Sequence, residues 1–258
     1  MNFSYRLLLV FVIFNENVVD VTGRAHAIVD DWRNVIFMLM KGTTNIQIQN
    51  VDTAKTNGWQ TIFVACSGNG QSMLGAYKKV DYKSEITHHD CSSGHLRSSL
   101  INKWNSHKID EVKIELIKGG DVVKVFVFDG TGSTNMNWFD KQRLVKSSYS
   151  DLSKSSTTNF FSIIGDKTVD RHFYINRNYH GCPNDKGWLM VVDTPVANYR
   201  PCKFDRLPRM KYPYIVYGPN NNVGHYQKTG QYEVADKLVI SIKTFGTPLT
   251  SKWSTVVN

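Results

Sequence analysis

Hydrophobic and polar residues alternate most cleanly over 111–130, EVKIELIKGGDVVKVFVFDG. Two runs of period two flank Gly119-Gly120, and a two-residue Gly-Gly connection favours the primed turns, whose positive φ glycine tolerates. A loop of that length sets Lys118 opposite Asp121 and Glu115 opposite Lys124, with Leu116, Ile114 and Val112 facing Val123, Val125 and Val127. In this register one face is apolar and the other carries charge pairs. Further short runs at 35–40, 45–49, 61–66, 160–164, 172–175, 188–192, 214–217 and 237–243 are punctuated by Gly, Asn and Ser. The pattern predicts an all-β chain, a β-sandwich or jelly-roll-like pair of antiparallel sheets with long anchored loops. One stretch departs from it. In HLRSSLINKWNS, Leu96, Leu100 and Trp104 recur every four residues and predict one short helix lying on a sheet.

The chain opens MNFSYRLLLVFVIFNENVVDVTG, where Arg6 precedes an apolar run at 7–14 that polar residues follow at once. That run is too short to cross a bilayer, and the arrangement predicts a secretory signal peptide over 1–23. Cleavage after Gly23 leaves the usual distance to the apolar run; Ala27 is the other small-residue position. No other apolar stretch approaches spanning length, so no membrane span is expected and 24–258 reads as a secreted, extracellular β-rich domain. If it has two lobes, the polar stretch 131–158 is the seam, with Trp138, Phe139, Leu144 and Tyr149 as anchors that dock it.

Charge narrows the class of partner. Taking Arg6, Glu16 and Asp20 away with 1–23 turns 31 Lys+Arg and 22 Asp+Glu into 30 and 20, a balance of +10. Such a field favours polyanions, which outside the cell are sulfated or acidic glycans and matrix surfaces rather than nucleic acid. Cysteine usage agrees with that compartment. Cys66, Cys91, Cys182 and Cys202 make an even set, and two disulfides are the default in an oxidising environment. Three pairings are open; the local one, Cys66 with Cys91 and Cys182 with Cys202, brackets loop-rich segments between predicted strands.

The stretch RHFYINRNYHGCPNDKGWLMVVD, 171–193, crowds His172, His180, Cys182, Asp185 and Asp193 around Trp188. A zinc site needs converging ligands and a catalytic cysteine needs a free thiol beside a base. Here His172 alternates with Phe173 and Ile175 and so faces outward with Tyr174, while Cys182 finds a partner in Cys202. GWLMVV reads as a buried strand, with Trp188 packed beside the disulfide as secreted sandwiches often arrange it. Scaffold is the better reading. His88, His89, Asp90 and His95 in THHDCSSGH read as a solvated loop at a disulfide rather than a metal site.

DGTGSTNMNWFD, Asp129 to Asp140, spaces oxygens like a calcium loop but lacks Gly at its sixth position and Glu at its twelfth. SGNGQSMLG lacks dinucleotide-binding spacing, and no G-x-S-x-G or H-E-x-x-H occurs. No catalytic residue, metal or cofactor is therefore assigned. The cluster YRPCKFDRLPRMKYP is more informative. Arg200, Lys203, Arg206, Arg209 and Lys211 oppose only Asp205, and Cys202, Pro201, Pro208 and Pro213 brace them. A braced loop loses less entropy on binding, and arginine forks suit sulfate and carboxylate.

With GCPNDKGWLMVVD and FDGTGSTNMNWFDKQRLVKSSYSDL in view, the chain resembles a set of secreted invertebrate proteins, mostly molluscan, with no assigned activity. The shared features are a strand ending FDGTGS, the NWF segment at 137–139 and the GC-x-x-D-x-GW stretch at 181–188. The resemblance implies an extracellular, disulfide-bearing β-fold and carries no catalytic residue across. Together these readings predict a secreted recognition or matrix protein that binds an anionic polysaccharide. The alternatives are a secreted hydrolase of extracellular polysaccharide and a structural component of mucus, shell or egg capsule.

Overall fold

The computed structural model describes residues 58–80, 86, 89–92, 94–179, 181–195, 202–208 and 210–245, with the backbone of three short strands before them. The expected strands at 35–40 and 45–49, and with them Arg200 and Arg209, lie outside the described residues. Residues 1–51 and 52–258 form two units. In the first, β1 (Ile13–Phe14) pairs antiparallel with β2 (Asn17–Val18).

The second unit is two antiparallel sheets. The larger orders β3 (Lys55–Thr56), β4 (Trp59–Cys66), β15 (Lys237–Thr244), β6 (Ile109–Lys118), β7 (Asp121–Asp129) and β8 (Leu144–Ser147), with β5 (Leu96–Arg97) paired to β4. The smaller orders β14 (Glu233–Ala235), β12 (Tyr214–Tyr217), β11 (Lys186–Val192), β10 (Arg171–Asn178) and β9 (Phe160–Ser162), with β13 (Gly224–His225) on β11. Phe63, Ile114, Phe126 and Ile240 of the larger sheet share one core with Phe173, Leu189, Val191 and Ile215 of the smaller. A shared core between two sheet faces is a sandwich. Trp138, Phe139, Leu144 and Tyr149 are all buried in it.

The smaller sheet is covered on both faces. Tyr174, Met190, Val192, Tyr214 and Val216 point away from the shared core into a second cluster, roofed by Cys202 and Phe204. This is why β10 to β12 read as continuous apolar runs instead of alternating ones. It also corrects two expectations. His172 is buried, its Nδ1 donating to Ile164 O at 2.6 Å, because the face on which it and Tyr174 were placed is not open to water. Trp188 sits in the shared core and donates through Nε1 to Asp151 Oδ1 at 2.7 Å, so it belongs to a different cluster from Cys202 and the disulfide.

The hairpin keeps its turn and loses its register. Gly119 and Gly120 have φ of 60° and 94°, and Lys118 faces Asp121 as the two-residue loop requires. A bulge follows, and from there Leu116 faces Lys124, Glu115 faces Val125 and Ile114 faces Phe126. The slip turns Phe126 and Phe128 into the core in place of Val125 and Val127, burying more apolar area. It also turns Lys124 inward. Glu115 instead pairs along its own strand with Lys113 at 2.9 Å.

The expected helix over 96–104 is a strand and a turn. Leu96–Arg97 pairs with β4, and Ser99–Ser106 then winds in 3₁₀ form, with Ser98 Oγ accepting Leu100 N–H and Ile101 and Trp104 buried. The α-helix of the described residues is α1 (Met73–Lys78), within SGNGQSMLGAYK. Asp193 holds its start, accepting the backbone N–H groups of Met73 and Leu74. Both disulfides form with the local pairing, Cys66–Cys91 and Cys182–Cys202.

Candidate functional site

The basic segment becomes a roof over the outer face of the smaller sheet. Its turn, Lys203–Asp205, drives Phe204 into the second cluster against Tyr226, with ring centroids 5.5 Å apart. Asp205 points the same way. Its carboxylate takes a two-pronged hydrogen bond from Arg171, Nε to Oδ1 at 2.9 Å and Nη2 to Oδ2 at 2.8 Å, and also accepts Cys202 N–H at 2.8 Å. Arg171 donates its remaining prong to Asp185 Oδ2 at 3.1 Å and stacks 4.8 Å from the Phe204 ring. Only 1% of Arg171 is exposed. Burial alone would favour its neutral form, but the Asp205 hydrogen bonds and the charges of Asp205 and Asp185 outweigh that and raise its pKa above the usual arginine value.

Asp205 therefore does not oppose the loop's cations at the surface. Lys203, Arg206 and Lys211 are exposed. The far end of the roof is gripped by the turn after β4, where Gly68 N–H donates to Pro213 O and Gly70 N–H to Tyr212 O, each at 2.8 Å. Tyr212 and Tyr214 stack at 4.6 Å and both donate to Asp205 O. Three of the five cations picked out in the sequence are thus described, and all three lie on one rigid cover.

The histidine and oxygen clusters disperse into scaffold roles. His95 is buried; its Nδ1 accepts Cys66 N–H at 3.0 Å and its Nε2 donates to Gln71 O at 2.9 Å. Burial lowers its pKa, partly opposed by the Gln71 hydrogen bond and Asp193. His89 meets Thr61 Oγ1 at 3.0 Å, and Asp90 accepts Ser92 N–H. His88 and His180 lie outside the described residues. In the calcium-like stretch, Asp129 accepts Thr131 N–H, Ser133 joins Trp104 Nε1 to Gly130 O, and Asp140 caps Gln142. Their oxygens serve separate turns. Among the described residues, no three His, Cys, Asp or Glu side chains are placed to hold one ion.

A second constructed region went unread in the sequence. Lys124, turned inward by the bulge and 4% exposed, lies over the Tyr149 ring at 4.7 Å and donates to Pro219 O and Asn220 O, both at 2.9 Å. Burial lowers its pKa, with Glu233 opposing. The only signal for this role was a lone lysine within VVKVFVF. No protein-family model, no characterised protein and no solved structure matches the chain.

Proposed function

We propose that the protein is an extracellular recognition protein that binds anionic glycans through the 202–213 roof. The observation that carries this reading is the inward turn of Asp205, which leaves Lys203, Arg206 and Lys211 facing water on a loop fixed by a disulfide, an apolar plug and a buried ion pair. Preorganised cations lose little entropy when they meet sulfate or carboxylate groups. The two disulfides suit an oxidising compartment, and no helix among the described residues is long and apolar enough to cross a membrane. The buried carboxylates support binding over catalysis: Asp185 and Asp205 hold Arg171, and Asp193 holds the start of α1.

Retention on a sulfated-glycan column tests the reading. Screened surface charges lose reach as the Debye length falls from about 10 Å at 0.1 M salt to about 3 Å at 1 M, so elution is expected well below molar salt. Arg206→Ala with Lys211→Ala should elute at lower salt than Lys103→Ala with Lys108→Ala, an exposed pair of equal charge elsewhere. Equal shifts would reduce the effect to net charge, and no retention would favour a structural matrix component.

A further inference from the structure

We infer that the loop after β12 forms a second, independent binding site, for an uncharged sugar unit. Pro219, Asn220, Asn222, Val223, Gly224 and Gln231 line an open recess of about 140 Å³. That is smaller than the roughly 300–1,000 Å³ of pockets that enclose a whole ligand, so the recess suits the edge of a single sugar ring.

The loop is held from beneath at nearly every residue. Four successive carbonyls accept protein donors: Gly218 O from Tyr149 Oη at 2.8 Å, Pro219 O and Asn220 O from Lys124 Nζ, and Asn221 O from the Ser150 backbone N–H at 2.7 Å. Val223 N–H donates to Asp151 Oδ2 at 3.0 Å. A buried ammonium is ordinarily paired with a carboxylate, so a lysine spent on two loop carbonyls marks a conformation that the fold enforces.

Those pins also define what the loop can offer. Its carbonyls from Gly218 to Asn221 already accept protein donors, so this stretch offers no open backbone ladder on which a peptide strand could pair. Among the residues that line the recess, Asn220, Asn222 and Gln231 are exposed, and their side-chain amides carry both donors and acceptors. No ionised side chain lines the recess. Paired donors and acceptors on a rigid frame, without charge, match vicinal hydroxyls, with Pro219 and Val223 supplying a small apolar wall for the ring's C–H face. This site does not rest on the cationic roof.

The test is a backbone-amide NMR titration of the full chain with cellobiose, lactose, mannobiose and N,N′-diacetylchitobiose, with heparin in parallel. At least one disaccharide, at up to about 10 mM, should shift the amides of 218–224 and 231 and leave those of 203–211 in place, with an affinity unchanged between about 0.1 and 1 M salt. Asn222→Ala with Gln231→Ala, both at exposed positions, should weaken it about tenfold or more. The inference fails if no disaccharide moves those amides, if the double variant binds equally well, or if only a blocked, uncharged Gly-Ser peptide does so. Heparin binding lost in Arg206→Ala with Lys211→Ala bears on the roof alone, so the two sites stand or fall separately.

Discussion

The loop that enters β12, residues 202–213, and the loop that leaves it, residues 218–224, are both fixed by a charge drawn beneath them. Under the first the charge is Asp205, taken by the Arg171 fork, and the groups left outside are Lys203, Arg206 and Lys211. Under the second it is Lys124, taken by two carbonyls, and the groups left outside are amides. The difference lies in the partner. Arg171 meets full charges, which hold one another in a dry site at high cost to either side if the other is removed. Lys124 meets dipoles, which leave neutral groups behind if the ammonium goes. The surface chemistry of each loop thus follows from which sign of charge the fold buries under it.

Breaking the first arrangement should therefore cost most. Arg171→Met leaves Asp185 and Asp205 buried without their cation and should destabilise the fold by about 3–5 kcal/mol, read from denaturant unfolding. Adding Asp185→Asn and Asp205→Asn should recover part of that loss, since the stranded charges are removed. Hydrogen exchange should rise in 202–208 before it rises in 218–224. Simultaneous loosening of both loops would show that the Arg171 network supports the whole smaller sheet and not the roof in particular.

Lys124→Met should reverse the pattern at smaller cost. It strands two carbonyls, worth about 1–3 kcal/mol, but buries an apolar chain where a charge stood, and the net loss should be about 1–2 kcal/mol. Amides of 218–224 should lose protection while those of 202–208 keep it. A stabilised variant with an unchanged loop would mean that Lys124 is not what holds the carbonyls.

These contrasts also mark how far the sequence could be read. The Gly119-Gly120 turn was legible because its chemistry is local. The bulge beyond it was not, because the choice between Val125 and Phe126 as the inward residue depends on space between two sheets, and with it went the place of Lys124. The cations of the roof showed as a cluster, and the local disulfides followed from spacing and compartment. Asp205 looked like their opponent because its true partner, Arg171, lies 34 residues earlier. Helix α1 escaped notice because it is six residues long and its carboxylate cap, Asp193, lies 120 residues from Met73. Nothing local to Asn220-Asn221-Asn222 announces donors arriving from β7 and from 149–151.

Acid should separate the two loops with the gentlest perturbation. His95 sits under the 67–71 turn that grips Tyr212 and Pro213, and its Nδ1 accepts hydrogen bonds from Cys66 N–H and Asn69 Nδ2. A proton on Nδ1 would face two donors, so the folded protein holds the neutral ring with hydrogen on Nε2. Burial lowers the folded pKa below the ordinary histidine value, so the unfolded chain takes up the proton first as pH falls. Stability from this site is complete above the unfolded pKa of about 6.5 and declines as pH drops from there toward the folded value, by at most about 1.4 kcal/mol per pH unit. His225, whose pKa burial also lowers, adds a loss of the same sign. Histidine-to-glutamine replacement at position 95 should flatten the decline, and ¹⁵N shifts of the ring should report the Nε2–H tautomer at neutral pH. Between pH 7 and 5, exchange should quicken at 68–70 and 210–212, and at 224–225 where His225 lies in β13, while 218–222 stays protected, because the pins of that part of the loop are Tyr149, Ser150 and Lys124, none of them a histidine. Equal loosening of 218–222 over that range would show that the two loops share one cooperative unit and that the contrast between them is only one of surface chemistry.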